Sequence, residues 1–334
     1  MRRGASPGHV FSAGTVNADF SLRVNAPLER GASLIASSLL RSSGGRAANV
    51  AVMARRLGAA ARLFGCVGED ELAEQALAGP RAAGVDVACV RRVPADTGLV
   101  TIVVGHDGAK TMIFAPGATE AFSAGDGERI AAQLRESPEH SVLVVDTEVS
   151  PGAVLPALEA ARERGRVVVV DPTRPQRTTG RLLELADHVC PNADEAEALT
   201  GVRVDSPDDA RRAAQTLRAR GPRHAHVRLR RGGCLTLWSD GEALFRTPED
   251  LEVVDTTGAG DAFAGTLATA LVERHTVVDA VRLAVAAAAC AVSGFGAQDS
   301  YPDRRALVAM ARRVRPSVRR AGSAAPATRL VRPR

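Results

Sequence analysis

Residues 255–265 (DTTGAGDAFAG) combine a glycine-rich turn with a single carboxylate at the start of a helical pattern. They follow the apolar run 251–254, which predicts a strand, and lead into a helix predicted over 262–272. Such a turn leaves backbone N–H groups unpaired near the positive end of the helix dipole, so Gly258, Ala259 and Gly260 are candidates to bind an anion. Asp261 beside them is suited to take a proton from the acceptor of a transferred anionic group. The alternative is that Asp261 only caps the helix.

Polar side chains also follow a series of short, solid apolar runs further upstream. The runs 142–145 and 167–170 are almost pure valine and alternate with helical patterns, which predicts a parallel sheet covered on both faces. Ligands of such sheets bind beyond the carboxyl ends of the strands. The side chains at those ends are therefore candidates for a site: Glu148, Asp171, Asn192 and Glu195.

The N-terminal third must position further polar residues. A buried strand is predicted over 9–14, and it runs into a turn that contains Asn17 and Asp19. The pair Gly44-Gly45 precedes a helical pattern over 47–57, and a strand is predicted over 61–68. Residues 98–104 and 110–114 flank a turn at 106–108, which predicts a β-hairpin.

Composition limits the class of protein. A chain of 334 residues suits one large α/β domain with a small appendage. No apolar run is long enough to span a bilayer, and no signal-type segment follows the N-terminus. The five cysteines are scattered and form no C-x-x-C pair, which favours a reducing cytoplasm over disulfides or a zinc site.

Positive charge is concentrated at the two ends of the chain. Ten arginines and no acidic residue lie in 2–3 and 312–334, so a formal charge of +5 for the chain leaves −5 for residues 4–311. A nucleic-acid-binding body would be basic, so nucleic acid is not an expected partner. Residues 1–8 are predicted to be flexible, and 312–334 to be a disordered tail, with contact to acidic partners the open alternative.

The segments 44–51 (GGRAANVA) and 255–265 together resemble the two signatures of the PfkB carbohydrate kinases, and within that family the chain is most similar to the ribokinases. The segments 17–19, 191–195 and 296–300 also fit, and the resemblance covers 9–311. It implies a ribokinase-like, doubly wound, mostly parallel α/β sheet with helices on both faces. It also implies a small β-sheet lid from about 18–40 and 96–115, and a homodimer formed through the lids.

The resemblance implies ATP-dependent phosphorylation of the primary hydroxyl of a small sugar, with D-ribose to D-ribose 5-phosphate as the first candidate. Asp261 would be the base, and the amides of residues 258–260 would stabilise the transferred group. The implied sugar-binding residues are Asn17, Asp19, Gly44, Gly45, Arg46, Asn49 and Glu148.

The same resemblance also implies two metal ions, Mg²⁺ and K⁺. Asn192 and Glu195 match an Asn-x-x-Glu element that organises Mg²⁺, partly through water, and the nucleotide phosphates. The alternative is that Asn192 caps a helix beginning near Ala193. A K⁺ site is implied as well, unless Asp255 instead pairs with an amide of the turn. Its residues would be Asp255, Thr257, Ala291, Gly294, Gly296 and Ser300.

Two departures from the family pattern bear on the substrates. Arg46 stands where ribokinases commonly carry Lys, and Arg228 and Arg230 replace the Thr and first Gly of a Thr-x-Gly-x-x-Gly element beside the nucleotide; Gly233 remains. Arg228 either adds a phosphate ligand or crowds ATP. Two other functions therefore stay open: a kinase for another sugar or a nucleoside, and a catalytically weak sugar- or nucleotide-binding regulatory protein.

Overall fold

The computed structural model describes residues 8–27, 29–105 and 110–320. The predicted turn at 106–108 lies outside these ranges. So do residues 1–7 of the segment predicted to be flexible, and residues 321–334 of the predicted tail.

Fourteen strands are found in the described part of the chain. They are β1 His9–Ala13, β2 Asn17–Val24, β3 Ala36–Gly44, β4 Ala60–Gly68, β5 Val90–Val93, β6 Gly98–Val104, β7 Lys110–Ala115, β8 Val142–Asp146, β9 Val167–Asp171, β10 His188–Val189, β11 His224–Arg228, β12 Cys234–Trp238, β13 Gly241–Arg246 and β14 Arg315–Arg320. Ten of them form the main sheet, in the order β14-β13-β12-β11-β10-β9-β8-β1-β4-β5. The seven strands from β11 to β5 are all parallel, while β12, β13 and β14 add an antiparallel edge.

Ten α-helices accompany these strands in the described ranges. They are α1 Arg46–Arg56, α2 Leu72–Ala82, α3 Ala124–Glu136, α4 Pro151–Glu163, α5 Gly180–Leu185, α6 Ala193–Thr200, α7 Pro207–Arg218, α8 Ala259–Val272, α9 Val277–Val292 and α10 Arg304–Ala311. A search of the described helices finds none with the length and apolar character required to cross a bilayer.

Alternate residues of the central strands point into two separate cores. Val10 and Val142 pack with α1, α8 and α9, whereas Phe11 and Leu143 pack with α3 and α4. Since successive side chains of a strand point to opposite faces, helices cover both faces of the sheet. The predicted doubly wound fold is confirmed.

The lid is a second sheet of four strands in the order β3-β2-β6-β7. β2 pairs antiparallel with β3 and parallel with β6, and β6 pairs antiparallel with β7. The predicted pairing of 98–104 with 110–114 is therefore confirmed. One face of this sheet carries a small apolar cluster, formed by Val100, Ile102 and Val104 with Phe114 packed against them.

Two predictions about secondary structure are wrong. Residues 251–254 form no strand; Val253 and Val254 are 60% and 52% exposed, and Val254 N–H donates to Val292 O of α9 rather than to a strand. Residues 315–320, placed in the disordered tail by their composition, form the edge strand β14 against β13. An edge strand needs backbone partners on one side only and tolerates exposed charged side chains. The Arg-rich composition of 315–320 therefore could not reveal that this segment pairs with β13.

Candidate active site

A cleft of about 920 Å³ opens at the carboxyl ends of the parallel strands. It lies where the strand order reverses, since β8 pairs with one side of β1 and β4 with the other. Among the predicted sugar, catalytic and nucleotide residues, the cleft is lined by Asn17, Asp19, Gly45, Arg46, Asn49, Glu148, Asn192, Arg228, Gly233, Gly258, Ala259, Gly260 and Asp261.

Asp261 lies in the first turn of α8, with its side chain 5% exposed. Asn49 Nδ2 donates to its Oδ2 at 2.7 Å, and an Arg46 Nη1 atom lies 3.5 Å from its Oδ1. Oδ1 accepts no hydrogen bond from the described residues. Burial raises the pKa of Asp261 to about 6, although Arg46 opposes the rise. A side chain that only capped the helix would bond to backbone N–H groups, and Asp261 instead faces the cleft.

The turn before Asp261 carries the predicted anion site. Gly258 is the N-cap of α8 and adopts the left-handed conformation, with φ 74°, which favours glycine. The N–H groups of Gly258 and Gly260 have no partner among the described residues, while that of Ala259 donates to Thr256 O at 3.4 Å. The helix begins at Ala259, three residues before the predicted start, so these amides belong to its first turn.

Asn17 and Asp19 lie on β2 at the lid's base, and Gly44 pairs with Asn17 at the end of β3. A Cβ on Gly44 would lie 2.1 Å from Asp19 Oδ2, so any larger residue at position 44 would displace this carboxylate. Burial, followed by the charge of Asp261, raises the pKa of Asp19 to about 7. Within the described residues, Asn17 Oδ1 and Asp19 Oδ1 are buried without a hydrogen-bond partner, which suits the hydroxyl donors of a polyol.

The loop before α1 is held by two residues to which sequence reasoning gave no role. Gly45 has φ 93°, and Arg46 N–H donates to Thr15 Oγ1 at 2.9 Å. The Thr15 N–H in turn donates to Asp146 Oδ2 at 2.9 Å, and Glu148 N–H donates to Asp146 Oδ1 at 3.0 Å. Asp146 thus holds both the loop at Thr15 and the loop at Glu148. Its position as the last residue of β8, at the carboxyl end of a parallel strand, could have marked it as a site residue.

Arg46 lies between three carboxylates. Its guanidinium is 3.5 Å from Glu148, 3.9 Å from Asp171 and 3.5 Å from Asp261. Its side chain is still 35% exposed, so the charge remains accessible from the cleft.

The two unusual arginines of the nucleotide element behave differently. Arg228 Nη2 lies 3.3 Å from Glu195 and 3.5 Å from Asp171, with its side chain 15% exposed. Its Nη1 would lie 2.2 Å from a Cβ on Gly260, so the guanidinium packs against the anion-binding turn. Arg230 instead pairs with Asp194 and with Glu197 on the surface of α6.

Asn192 and Glu195 form a capping box on α6. Asn192 Oδ1 accepts from Glu195 N–H, and Glu195 Oε2 accepts from Asn192 N–H, both at 2.8 Å. The capping alternative is therefore present in the structure. It leaves Glu195 facing Arg228, and both carboxylate oxygens of Asp171 lack a hydrogen-bond partner among the described residues.

Within the described ranges, no group of three or more His, Cys, Asp or Glu residues has the geometry of a metal centre. Mg²⁺ commonly keeps several waters and binds one or two carboxylates together with phosphates. The oxygens of Asp171 accept no hydrogen bond from the described residues, and together with Glu195 they fit that mode of binding.

Two of the predicted K⁺ residues, Thr257 and Gly296, contact Asp255 directly. Its Oδ1 accepts from Thr257 N–H at 2.8 Å and its Oδ2 from Gly296 N–H at 3.0 Å, so the predicted pairing with a turn amide is also present. Gly294 packs against Ser300 and donates to Ala291 O at 3.4 Å. Both carboxylate oxygens of Asp255 thus accept backbone N–H groups, and the K⁺ site stays a prediction.

The chain belongs to the pfkB family of carbohydrate kinases, which matches residues 8–304. It is therefore a sugar kinase, a phosphotransferase with an alcohol acceptor.

Ribokinases and a deoxyribokinase are among the relatives of the chain. The chain is 31% identical over 293 residues to the ribokinase of Haemophilus influenzae, covering 87% of this chain and 94% of the relative. It is also 31% identical over 289 residues to the deoxyribokinase of Salmonella typhi, covering 85% and 92%. Among solved structures, the ribokinase of Arabidopsis thaliana complexed with ribose and ATP matches with a TM-score of 0.81 and 25% identity, over 92% of this chain and 99% of that one.

Proposed function

We propose that this protein transfers the γ-phosphoryl group of ATP to the primary hydroxyl of a pentose, with D-ribose as the first candidate and 2-deoxy-D-ribose as the second. The observation that carries the proposal is the bond from Asn49 to Asp261, which joins the sugar-binding motif to the carboxylate beside the anion-binding turn. Relatives named ribokinase and deoxyribokinase at equal identity support both pentoses.

Asp261 acts as the general base. With a pKa of about 6, the carboxyl group is mostly ionised at pH 7 and still basic enough to take a hydroxyl proton in the transition state. Its Oδ1, free of hydrogen bonds from the described residues, is the atom that receives the proton. The N–H groups of Gly258 and Gly260 then stabilise the charge on the transferred phosphoryl group.

The sugar binds between the lid and the main sheet. Asp19 and Asn17 accept hydrogen bonds from its hydroxyls, and the glycines at 44 and 45 allow close approach of the backbone. Glu148, held 3.5 Å from Arg46, accepts a further hydroxyl bond. Fixing the primary hydroxyl in this way accounts for much of the catalysis, because phosphoryl transfer depends mainly on alignment.

The nucleotide phosphates lie against the turn at 258–260, with Arg228 donating to them from the opposite wall and Gly233 leaving room for the nucleotide. Asp171 and Glu195 would hold, through water, the Mg²⁺ that accompanies ATP, and that ion would supply neutralisation of the phosphate charge. Asp255 and its neighbours would hold a K⁺ ion, whose charge would stabilise the conformation of the anion-binding turn.

We also propose a homodimer formed through the lids. Leu39 and Leu40 on β3, and Met112 and Ile113 on β7, are between 36% and 62% exposed. Apolar side chains on a small sheet are candidates for burial against a second copy. Light scattering on the purified protein would give twice the chain mass if the proposal is right.

A substrate panel tests the proposed activity. Purified protein with ATP, Mg²⁺ and K⁺ is given D-ribose, 2-deoxy-D-ribose, D-fructose and a nucleoside, and ADP release is measured. The highest kcat/KM is expected with a pentose. A preference for D-fructose or the nucleoside would replace the pentose proposal. ATP binding without turnover on any acceptor would favour the regulatory binding protein.

A further inference from the structure

Four polar side chains from distant parts of the sequence form one continuous chain of hydrogen bonds that ends at Asp261. Ser43 Oγ donates to Gln298 Oε1 at 2.9 Å, and Gln298 Nε2 donates to Asn49 Oδ1 at 2.8 Å. Asn49 Nδ2 completes the chain by donating to Asp261 Oδ2 at 2.7 Å. Gln298 and Asn49 are 8% and 5% exposed, so water competes little for these bonds.

The direction of every bond follows from the charge on Asp261. An ionised carboxylate only accepts hydrogen bonds, so Asn49 must turn its NH₂ group toward Asp261. The amide oxygen of Asn49 then faces Gln298 and needs a donor, which the Gln298 NH₂ group supplies. The remaining Gln298 oxygen accepts from the hydroxyl of Ser43. A glutamine is suited to this position because its amide carries a donor and an acceptor at opposite sides.

We propose that Gln298 is a positioning residue for catalysis: it fixes the Asn49 amide so that its NH₂ group always donates to Asp261. This bond favours the ionised carboxylate, and it occupies Oδ2 so that Oδ1 stays available for the proton of the acceptor. The assignment of that proton to the sugar rests on the proposed function, whereas the effect on the ionisation of Asp261 does not.

Several other charged or titratable groups face Asp261 and also influence its ionisation. They are Arg46 from α1, Asp19 from β2, Asp171 from β9, Arg228 from β11 and Tyr301 after the 3₁₀ turn Gln298–Ser300. All of them are unchanged in the variants below, so a difference between those variants reports the amide chain.

Two substitutions test the role of Gln298. Gln298→Met removes the donor without adding charge, so the Asn49 amide is free to turn over. Gln298→Glu supplies a group that only accepts, so Asn49 turns its NH₂ group away from Asp261 and presents its oxygen instead. The pKa of Asp261 is expected to rise by about one unit in Gln298→Met, because the freed Asn49 amide can turn its oxygen toward the protonated carboxyl and stabilise the neutral form. The rise should be larger in Gln298→Glu, because the hydrogen bond to the charged form is lost there. The matched control is Gln215→Glu, on the exposed face of α7.

Two measurements report the shift. The first is the acid limb of the pH profile of kcat/KM for the sugar. In both Gln298 variants we expect this limb to move to higher pH and kcat to fall, while the KM for ATP stays unchanged. The second is the ¹³C carboxyl titration of Asp261 in protein labelled at aspartate, assigned by the signal missing from Asp261→Asn. Since the titration needs no turnover, failure of the proposed function would leave this test intact.

Each outcome decides the proposal. An upward shift in both variants, with none in Gln215→Glu, supports it. A shift in Gln298→Glu alone would mean that the added charge acts on Asp261 directly, and the proposal would be wrong. Activity lost with the pKa unchanged would assign Gln298 a structural role only. If neither variant folds, Ser43→Ala decides, because it frees the Gln298 amide to turn: a smaller upward shift supports the proposal, and an unchanged pKa overturns it.

Discussion

Replacing Arg228 by Thr separates two opposite roles for an arginine beside the nucleotide. If Arg228 stabilises the transferred phosphoryl group, its loss lowers kcat. If it only narrows the nucleotide site, its loss improves ATP binding. The packing of the Arg228 guanidinium against Gly260 of the anion-binding turn favours the first role.

The size of the effect follows from the geometry. Arg228 lies 3.3 Å from Glu195 and 3.5 Å from Asp171, and its side chain is 15% exposed. Each pair is worth about 5 kcal/mol of Coulomb energy at an effective dielectric constant of about 20, before desolvation is subtracted. Breaking such a buried pair typically costs about 3–5 kcal/mol of stability, because a carboxylate is left uncompensated. Losing one charged donor to the transition state lowers kcat by about 10²- to 10³-fold.

Steady-state kinetics at saturating sugar and variable ATP measure both quantities, and urea denaturation gives the free energy of unfolding. Arg228→Lys is the matched control: it keeps the charge but loses the guanidinium fork, and it should fall between wild type and Arg228→Thr. A lower KM for ATP with kcat unchanged in Arg228→Thr would refute the reasoning and identify Arg228 as a steric obstacle.

Three further predictions concern acid–base behaviour and the second arginine. Because burial raises the pKa of Asp261 to about 6 and the base must be ionised, kcat/KM should fall about tenfold per pH unit below pH 6; a flat profile down to pH 5 would contradict this. Burial, followed by the charge of His224, holds the pKa of His226 well below its usual value, so the unfolded chain binds a proton first as pH falls. Relative to His226→Gln, the wild type should lose about 1.4 kcal/mol of unfolding free energy per pH unit below about 6.5 in urea titrations, and a constant difference would contradict this. Arg230→Ala should leave both kcat and the free energy of unfolding close to their wild-type values, since its pairs with Asp194 and Glu197 are exposed; a large fall in kcat would place Arg230 at the phosphates.

Much of the main sheet could be predicted from the sequence because its signals are local. The valine runs at 142–145 and 167–170 can be buried on both faces only in a covered parallel sheet, and they form β8 and β9. The errors at 251–254 and 315–320 share one cause. An extended segment forms a strand only where another part of the chain offers it a free sheet edge. The local sequence pattern contains no information about that edge.

The sequence predicted the site residues that lie within recognisable motifs, but not the contacts between residues that are far apart in the sequence. Asn49 and Asp261 are 212 residues apart, and the resemblance placed them in one site without predicting their direct bond. The contact of Gln298 with Asn49 spans 249 residues and carries no local signal. The Arg230 side chain points away from the cleft because its guanidinium pairs with Asp194 and Glu197 of α6, and the sequence alone does not show that these acids lie within reach.

The central claim is that Asp261 is the base of a sugar kinase, and ADP release by wild type and Asp261→Asn tests it most directly. With D-ribose or 2-deoxy-D-ribose, ATP, Mg²⁺ and K⁺, wild type should release ADP only when sugar is present. In Asp261→Asn, kcat should fall by about 10²- to 10⁴-fold while ATP binding is retained, because the amide keeps the shape but takes up no proton. Sugar-dependent turnover of Asp261→Asn within a few-fold of wild type would contradict the claim.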